Sequence, residues 1–303
     1  MLQCVVTLAE ELSFTRAAKK LYIAQPALSR QINALESSLG VKLFDRSTRQ
    51  VTLTPAGMAF IEEARAALAH SERAGRLAKA VSRGEDSPVS VGYSPHYNFD
   101  LLSLIMKRAG RHFGSTGIIF TSSFTREQVQ NVSDGTWDAG LCFFPVEDPA
   151  LETIVLLEEP VCIVVPANHK LGIKHEGQVS YRELENEPVI RFARRIHPGF
   201  ARELEQVWIN FGYRPRATHH VNTVAEAAAL VAAGSGIAFF KSSLRNMLPA
   251  TVKMLDLRDE ERLMVKMGIL YRKRGRTAGT EKFLGLLSGF MKPRSRSAKA
   301  SSR

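Results

Sequence analysis

The apolar pattern changes its period near residue 88, and that switch constrains the fold more than any other feature of the chain. Before it, apolar residues recur at helical spacing with short connections, from Met1 to about Gly57 and then, with no proline, from Met58 to about Arg83. Beyond Pro88, short apolar runs of strand type (89–93, 118–121, 139–144, 161–166, 189–192, 218–221, 237–240 and 267–271) alternate with helical patterns at 99–112, 125–134, 200–211, 223–233 and 280–290. Such alternation predicts an α/β domain with largely parallel sheets. About 200 residues so organised form either one doubly wound sheet or two lobes around a cleft. The 303 residues leave room for a small helical domain ahead of it.

Near the N-terminus, Ser13 suits the N-cap of a short helix in which Ala17, Ala18 and Leu21 are small or apolar and let a second helix come close. After a tight turn, Pro26 fits the first turn of that second helix, and Leu28, Ile32 and Leu35 form its buried face. Gln25, Pro26, Ser29, Arg30 and Asn33 are left outward. Gln and Asn match adenine, Arg matches guanine or phosphate, Ser matches either, and Pro meets a thymine methyl, so this face suits a major groove. A plain solvated helix face has the same pattern, but the continuation favours DNA: 40–46 and 49–57 read as a hairpin wing with basic residues at its tip. Thr54 and Pro55 then start a helix rich in Ala, Glu and Arg. Its stripe of Phe60, Ile61, Ala64, Leu68, Leu77 and Val81 is one a solitary helix cannot bury, and its own copy in another subunit is the simplest partner. Residues 84–88 read as a linker.

The net charge of +11 favours a polyanionic partner. Five of those charges (Lys292, Arg294, Arg296, Lys299 and Arg303) lie in 292–303, which reads as a basic disordered tail. Cys4, Cys142 and Cys162 are far apart without C-x-x-C spacing, so they read as buried thiols and suggest neither zinc nor disulfides. No stretch nears the roughly 20 apolar residues of a membrane span. The start Met1-Leu2-Gln3-Cys4-Val5-Val6-Thr7 has no features of a secretory signal, so a cytoplasmic protein is expected.

The runs Ala9-Glu10-Glu11-Leu12-Ser13-Phe14-Thr15, Gln25-Pro26-Ala27-Leu28-Ser29-Arg30-Gln31-Ile32, Leu35-Glu36, Leu39-Gly40-Val41-Lys42-Leu43-Phe44-Asp45-Arg46 and Leu53-Thr54-Pro55-Ala56-Gly57 together closely resemble the N-terminal domain of LysR-type transcriptional regulators. The resemblance covers the whole architecture. It implies an all-α winged helix-turn-helix over 1–57, a linker dimerisation helix over 58–86, and over 87–291 a two-lobed α/β effector-binding domain like a periplasmic binding protein. It places Ser13, Thr15, Gln25, Pro26, Ser29, Arg30, Asn33, Arg46 and Arg49 at DNA. The implied partners are double-stranded promoter DNA, a small-molecule effector and further copies of the chain as a homodimer or homotetramer. Two-fold protein symmetry would then match an interrupted palindrome. Ligand binding between the lobes acts by population shift, without catalysis, cofactor or metal. Family members usually carry several more residues before Leu2, so a truncated start is expected.

By the same resemblance the effector sits where helix N-termini of both lobes face the cleft, and their free N–H groups favour anions. The corresponding segments are Ser94-Pro95-His96, Ser123-Phe124-Thr125 and His197-Pro198-Gly199-Phe200, and the expected contacts are Ser94, His96, Ser123, Thr125, Arg191, Pro198 and Phe200. Ser94 and Thr125 suit both ligand contact and simple N-capping, and Phe200 suits both an apolar wall and core packing. Arg191, Arg194 and Arg195 form a basic group where many relatives are apolar, which suits an organic anion, although Arg194 also reads as a solvated loop residue. The run 231–238 looks like the family's helix-Gly-strand crossing. Phe239-Phe240-Lys241 departs from its usual apolar-apolar-Pro, with Lys241 directed either to the cleft or to solvent.

Other classes fit less well. The chain has no H-E-x-x-H, P-loop or G-x-S-x-G, as an enzyme of those types would need. Adjacent His219 and His220 on a strand point to opposite faces, which argues against a metal site. A stand-alone solute-binding protein leaves 1–57 unexplained, and a molybdate-type sensor would have a much smaller effector half.

Overall fold

The computed structural model describes residues 1–46, 50–82, 88–114, 117–174 and 178–290, and the chain divides into two compact units, Met1–Glu85 and Asp86–Arg303. Arg49, the linker residues 83–87, the side chain of Val81 and the basic tail 292–303 lie outside the described residues.

The first unit contains α1 (Leu2–Glu11), α2 (Phe14–Lys20), α3 (Gln25–Leu39), β1 (Phe44–Arg46), β2 (Val51–Leu53) and α4 (Pro55–Ser82). Ser13 caps α2 by accepting from the Arg16 amide at 3.4 Å. The chain then turns at Tyr22, whose φ of 54° is left-handed, and the Ile23 amide closes onto the Ala18 carbonyl at 3.1 Å. Leu28, Ile32 and Leu35 of α3 are buried against Val5, Leu8, Ala17 and Ala18, as the periodicity predicts. Removing each such side chain from water contributes about 1.5–3 kcal/mol. β1 and β2 pair antiparallel, Phe44 opposite Leu53, and form the hairpin wing that the sequence predicts. Thr54 caps α4, accepting from the Gly57 amide at 2.9 Å. Ile61 and Ala64 are buried in this unit's own core, and the half-buried Phe60 and Leu68 pack against it, so that core covers part of the apolar stripe of α4.

The second unit opens with β3 (Val89–Tyr93), α5 (Phe99–Phe113), β4 (Ile118–Ser122), α6 (Thr125–Ser133) and β5 (Ala139–Phe144). β3 runs parallel between β4 and β5. The long β6 (Leu151–Pro166) leads to α7 (Lys170–Lys174), β7 (Gln178–Val179), β8 (Pro188–Phe192), α8 (Pro198–Asn210), β9 (Arg216–Val221), α9 (Val224–Ala232), β10 (Ile237–Lys241), β11 (Val252–Leu257), β12 (Met264–Arg272) and α10 (Ala278–Leu287). β8 runs parallel between β9 and β10 and forms the heart of a second lobe. At the left-handed turn between α9 and β10, Gly234 has φ +76°, which the expected helix-Gly-strand crossing requires.

The sheets are more mixed than predicted. β12 is antiparallel to β5 and β6, and β6 is antiparallel to β10 and β11. β6 causes this: its first part, to Pro160, belongs to the first lobe, and from Val161 it belongs to the second. The chain must return the opposite way, and the Val161 amide bonds the Leu263 carbonyl at 2.8 Å where the two crossings meet. Glu158, Glu159 and Pro160 interrupt the apolar run, so the sequence pattern shows only the second part of β6. All three cysteines are buried, as expected. Among the described residues no helix is long and apolar enough to cross a membrane.

Candidate functional site

Two faces concentrate the functional residues, one in each unit. On α3, Gln25, Pro26, Arg30 and Asn33 are exposed and Ser29 is half-buried, while Thr15 is exposed on α2. Ser13 is occupied as the cap. Arg46, expected at DNA, has a local role: its guanidinium lies 3.1 Å from Glu36 Oε2 and 4.9 Å from the centre of the Phe14 ring. Glu36 is the important residue that the sequence reading passed over. It is 2% exposed, yet it accepts from the Leu43 and Phe44 amides at 2.9 and 3.1 Å and from Lys42 Nζ at 2.9 Å. Burial alone would raise its pKa, but these bonds and the charge of Arg46 outweigh it, and the net shift is downward. The carboxylate thereby fixes the wing to the end of α3.

In the second unit, β3, β5, β8 and β10 end around a cavity. His96 and Phe143 from the first lobe and Arg191, His197, Phe200, Trp208 and Lys241 from the second are among its walls. His197 joins the lobes: its Nε2 is 3.2 Å from His96 Nδ1, its Nδ1 is 2.9 Å from Thr125 Oγ1, and its ring centre is 4.2 Å from that of Phe143. Burial, then repulsion from Lys241, pulls the pKa of His96 down to about 4; burial, then His96, holds His197 well below its usual range. Both rings are therefore neutral near pH 7, and a hydroxyl and two neutral imidazoles can orient this chain of hydrogen bonds in either direction.

The other expected contacts divide. Ser94 is fully buried and accepts from the His96 amide at 3.1 Å, and Ser123 donates to Glu127 Oε2 at 2.6 Å, so both shape their loops. Thr125 reaches His197 and, with Pro198, also lines an open hollow on the other side, rimmed by Arg126, Arg194 and Arg202. Next to it, a Cβ on Gly199 would come 1.9 Å from the Pro145 carbonyl oxygen, so only glycine lets α8 approach the first lobe this closely. Arg191 lines the cavity, hydrogen-bonded to Glu205, which also faces Arg194, and lies 5.0 Å over the Trp208 ring. Lys241 does reach the cavity. It is 6% exposed and bonds Glu159 at 3.3 Å and Ser243 Oγ at 2.6 Å, and burial lowers its pKa despite Glu159. His219 and His220 are exposed on β9, and no metal-holding cluster occurs among the described residues.

Residues 1–58 match the family of bacterial regulatory helix-turn-helix proteins, lysR family, and residues 82–292 match the LysR substrate binding domain. The HTH-type transcriptional regulator ShiR of Corynebacterium glutamicum is 30% identical over 96% of this chain and 98% of its own length. The HTH-type transcriptional regulator BenM of Acinetobacter baylyi is 30% identical over 86% of this chain and 85% of its own. Among solved structures, CbnR, a LysR family transcriptional regulator, is similar with a TM-score of 0.78 and 26% identity, over 96% of this chain and 98% of that one. Full-length CbnR complexed with its target DNA gives 0.75 over 95% and 98%.

Proposed function

This chain belongs to the LysR family of bacterial transcriptional regulators, and from that premise we propose that it binds promoter DNA as a homo-oligomer and adjusts that binding to a small-molecule effector. The exposed face of α3 carries the reading: Gln25, Pro26, Ser29, Arg30 and Asn33 offer base-reading chemistry on a helix held rigid by its buried face and by Glu36. Residues 1–57 then serve DNA, 58–86 link and pair subunits, and 87–291 hold the effector between the lobes, against His96, Phe143, Phe200 and Lys241. The effector acts by favouring one arrangement of the lobes, a shift of populations in which no bond is made or broken. Work on chromosomal DNA places the protein in the cytoplasm.

Footprinting of the full chain on the DNA upstream of its own gene tests this. We expect a protected interrupted palindrome whose preference is lost when Ser29 and Arg30 are both replaced by Ala. An unchanged preference in that double variant removes α3 as the reading helix.

A further inference from the structure

Both cations on the wall of the interlobe cavity touch a carboxylate: Arg191 touches Glu205, and Lys241 touches Glu159. In the hollow on the other side of His197, Arg202 pairs with Glu147 at 3.3 Å, Arg194 shares Glu205 with Arg191 at 3.7 Å, and Arg126 has no ion pair among the described residues. The two imidazoles carry no charge near neutral pH. The rest of the wall is apolar and largely aromatic, with Phe143, Phe192, Phe200, Trp208, Phe239 and Phe240. A carboxylate entering this space would lose its water and meet on the wall only cations already in contact with a carboxylate, which offsets less of that desolvation cost. A flat ring would meet other rings at the offset and edge-on geometries that aromatic pairs favour.

We infer that the effector held here is an uncharged aromatic compound bearing a hydroxyl or carbonyl group. This rests on the reading of the cleft as the effector site and replaces the anion expected from Arg191. The polar group has places to bind. Two of the three N–H bonds of Lys241 are used by Glu159 and Ser243, which leaves one for an oxygen acceptor. His96 Nε2, which has no partner among the described residues, donates or accepts according to the orientation of the His197 chain, and a hydroxyl satisfies either. Trp208, also on the wall, keeps its indole N–H buried without an acceptor.

Calorimetry of the full chain at neutral pH with shape-matched probes, benzamide and acetophenone against benzoate, tests the class. The uncharged probes should bind about tenfold or more tightly than benzoate. Ala201→Trp, which fills the cavity wall, should abolish binding, and Ala201→Leu provides a smaller plug if the first variant does not fold. Glu205→Gln frees the charge of Arg191 and should move the ratio about tenfold toward benzoate. If benzoate binds more tightly than benzamide and Ala201→Trp abolishes it, the uncharged class is wrong while the cleft reading stands. Binding that ignores both plugs overturns the cleft reading itself, and failure of every probe to bind overturns the uncharged aromatic.

Discussion

Arg30 and Lys241 are both cations at a functional face, and their surroundings differ in a way that separates the two units. Arg30 is exposed on α3, and none of the ion pairs among the described residues takes up its charge. Water solvates it, and in the proposed DNA complex a guanine or a phosphate would replace that water. Lys241 is 6% exposed and held by Glu159, which also accepts the Ser243 amide at 2.8 Å. A buried charge has no water to rely on, so the protein must supply its counterpart before any ligand arrives. The DNA-facing unit therefore keeps its polar chemistry in reserve, and the cavity has most of its own already satisfied.

The largest effect should come from breaking the buried pair. Glu159→Ala strands Lys241 and should cost the second unit about 3–5 kcal/mol in urea unfolding, whereas Arg30→Ala should stay within about 0.5 kcal/mol. Equal costs would erase the contrast. Acid should sharpen it further. The unfolded chain protonates His96 and His197 below the ordinary 6.5, while the folded unit resists, His96 down to about 4. Protons thus favour the unfolded chain, and stability should fall as pH drops from about 6.5 to about 4, by about 2–3 kcal/mol for His96 alone. Glu36 has a lowered pKa, so its contribution to the first unit is complete above the ordinary 4.5 and is lost below that. Trp137 and Trp208 both lie in the second unit, so their fluorescence should report its earlier acid loss; a flat stability curve from pH 7 to about 4.5 would contradict the neutral histidine pair.

On DNA the order reverses. Arg30→Ala should cost about 1–3 kcal/mol in operator affinity by gel shift, and Glu205→Gln, far from α3 in sequence, should leave the affinity of the effector-free protein nearly unchanged. The smallest effect concerns the thiols. Burial raises the pKa of Cys142 and, with Asp256, pushes Cys162 up to about 12, so Ellman's reagent should react with the native protein only slowly. Rapid modification of both would mean that the second unit opens readily.

Much of this was legible in the chain. Leu28, Ile32 and Leu35 mark a buried helical face that needs only the spacing of neighbouring residues to be recognised, and the opposite residues follow by exclusion. The helix-Gly-strand crossing at Gly234 is local in the same sense. Glu36 was not legible, because its partners Leu43, Phe44 and Arg46 belong to a later hairpin, and only an acid beside an apolar Leu35 gives any signal. The mixed sheets escaped for a related reason: Glu159 and Pro160 break the pattern just where β6 passes from one lobe to the other.

By itself the sequence determined the order of the two units, the family, the exposed face of α3 and the burial of the cysteines, since each follows from residues within a few turns or strands of one another. Only the tertiary structure decided which charges are free. Arg191 of β8 meets Glu205 of α8, Lys241 meets Glu159 from another strand, and His197 meets His96 and Thr125 from the opposite lobe. A charge's availability depends on what lies within a few ångströms of it, and for a cavity assembled from both lobes those neighbours are set by packing, at separations along the chain that no local pattern records.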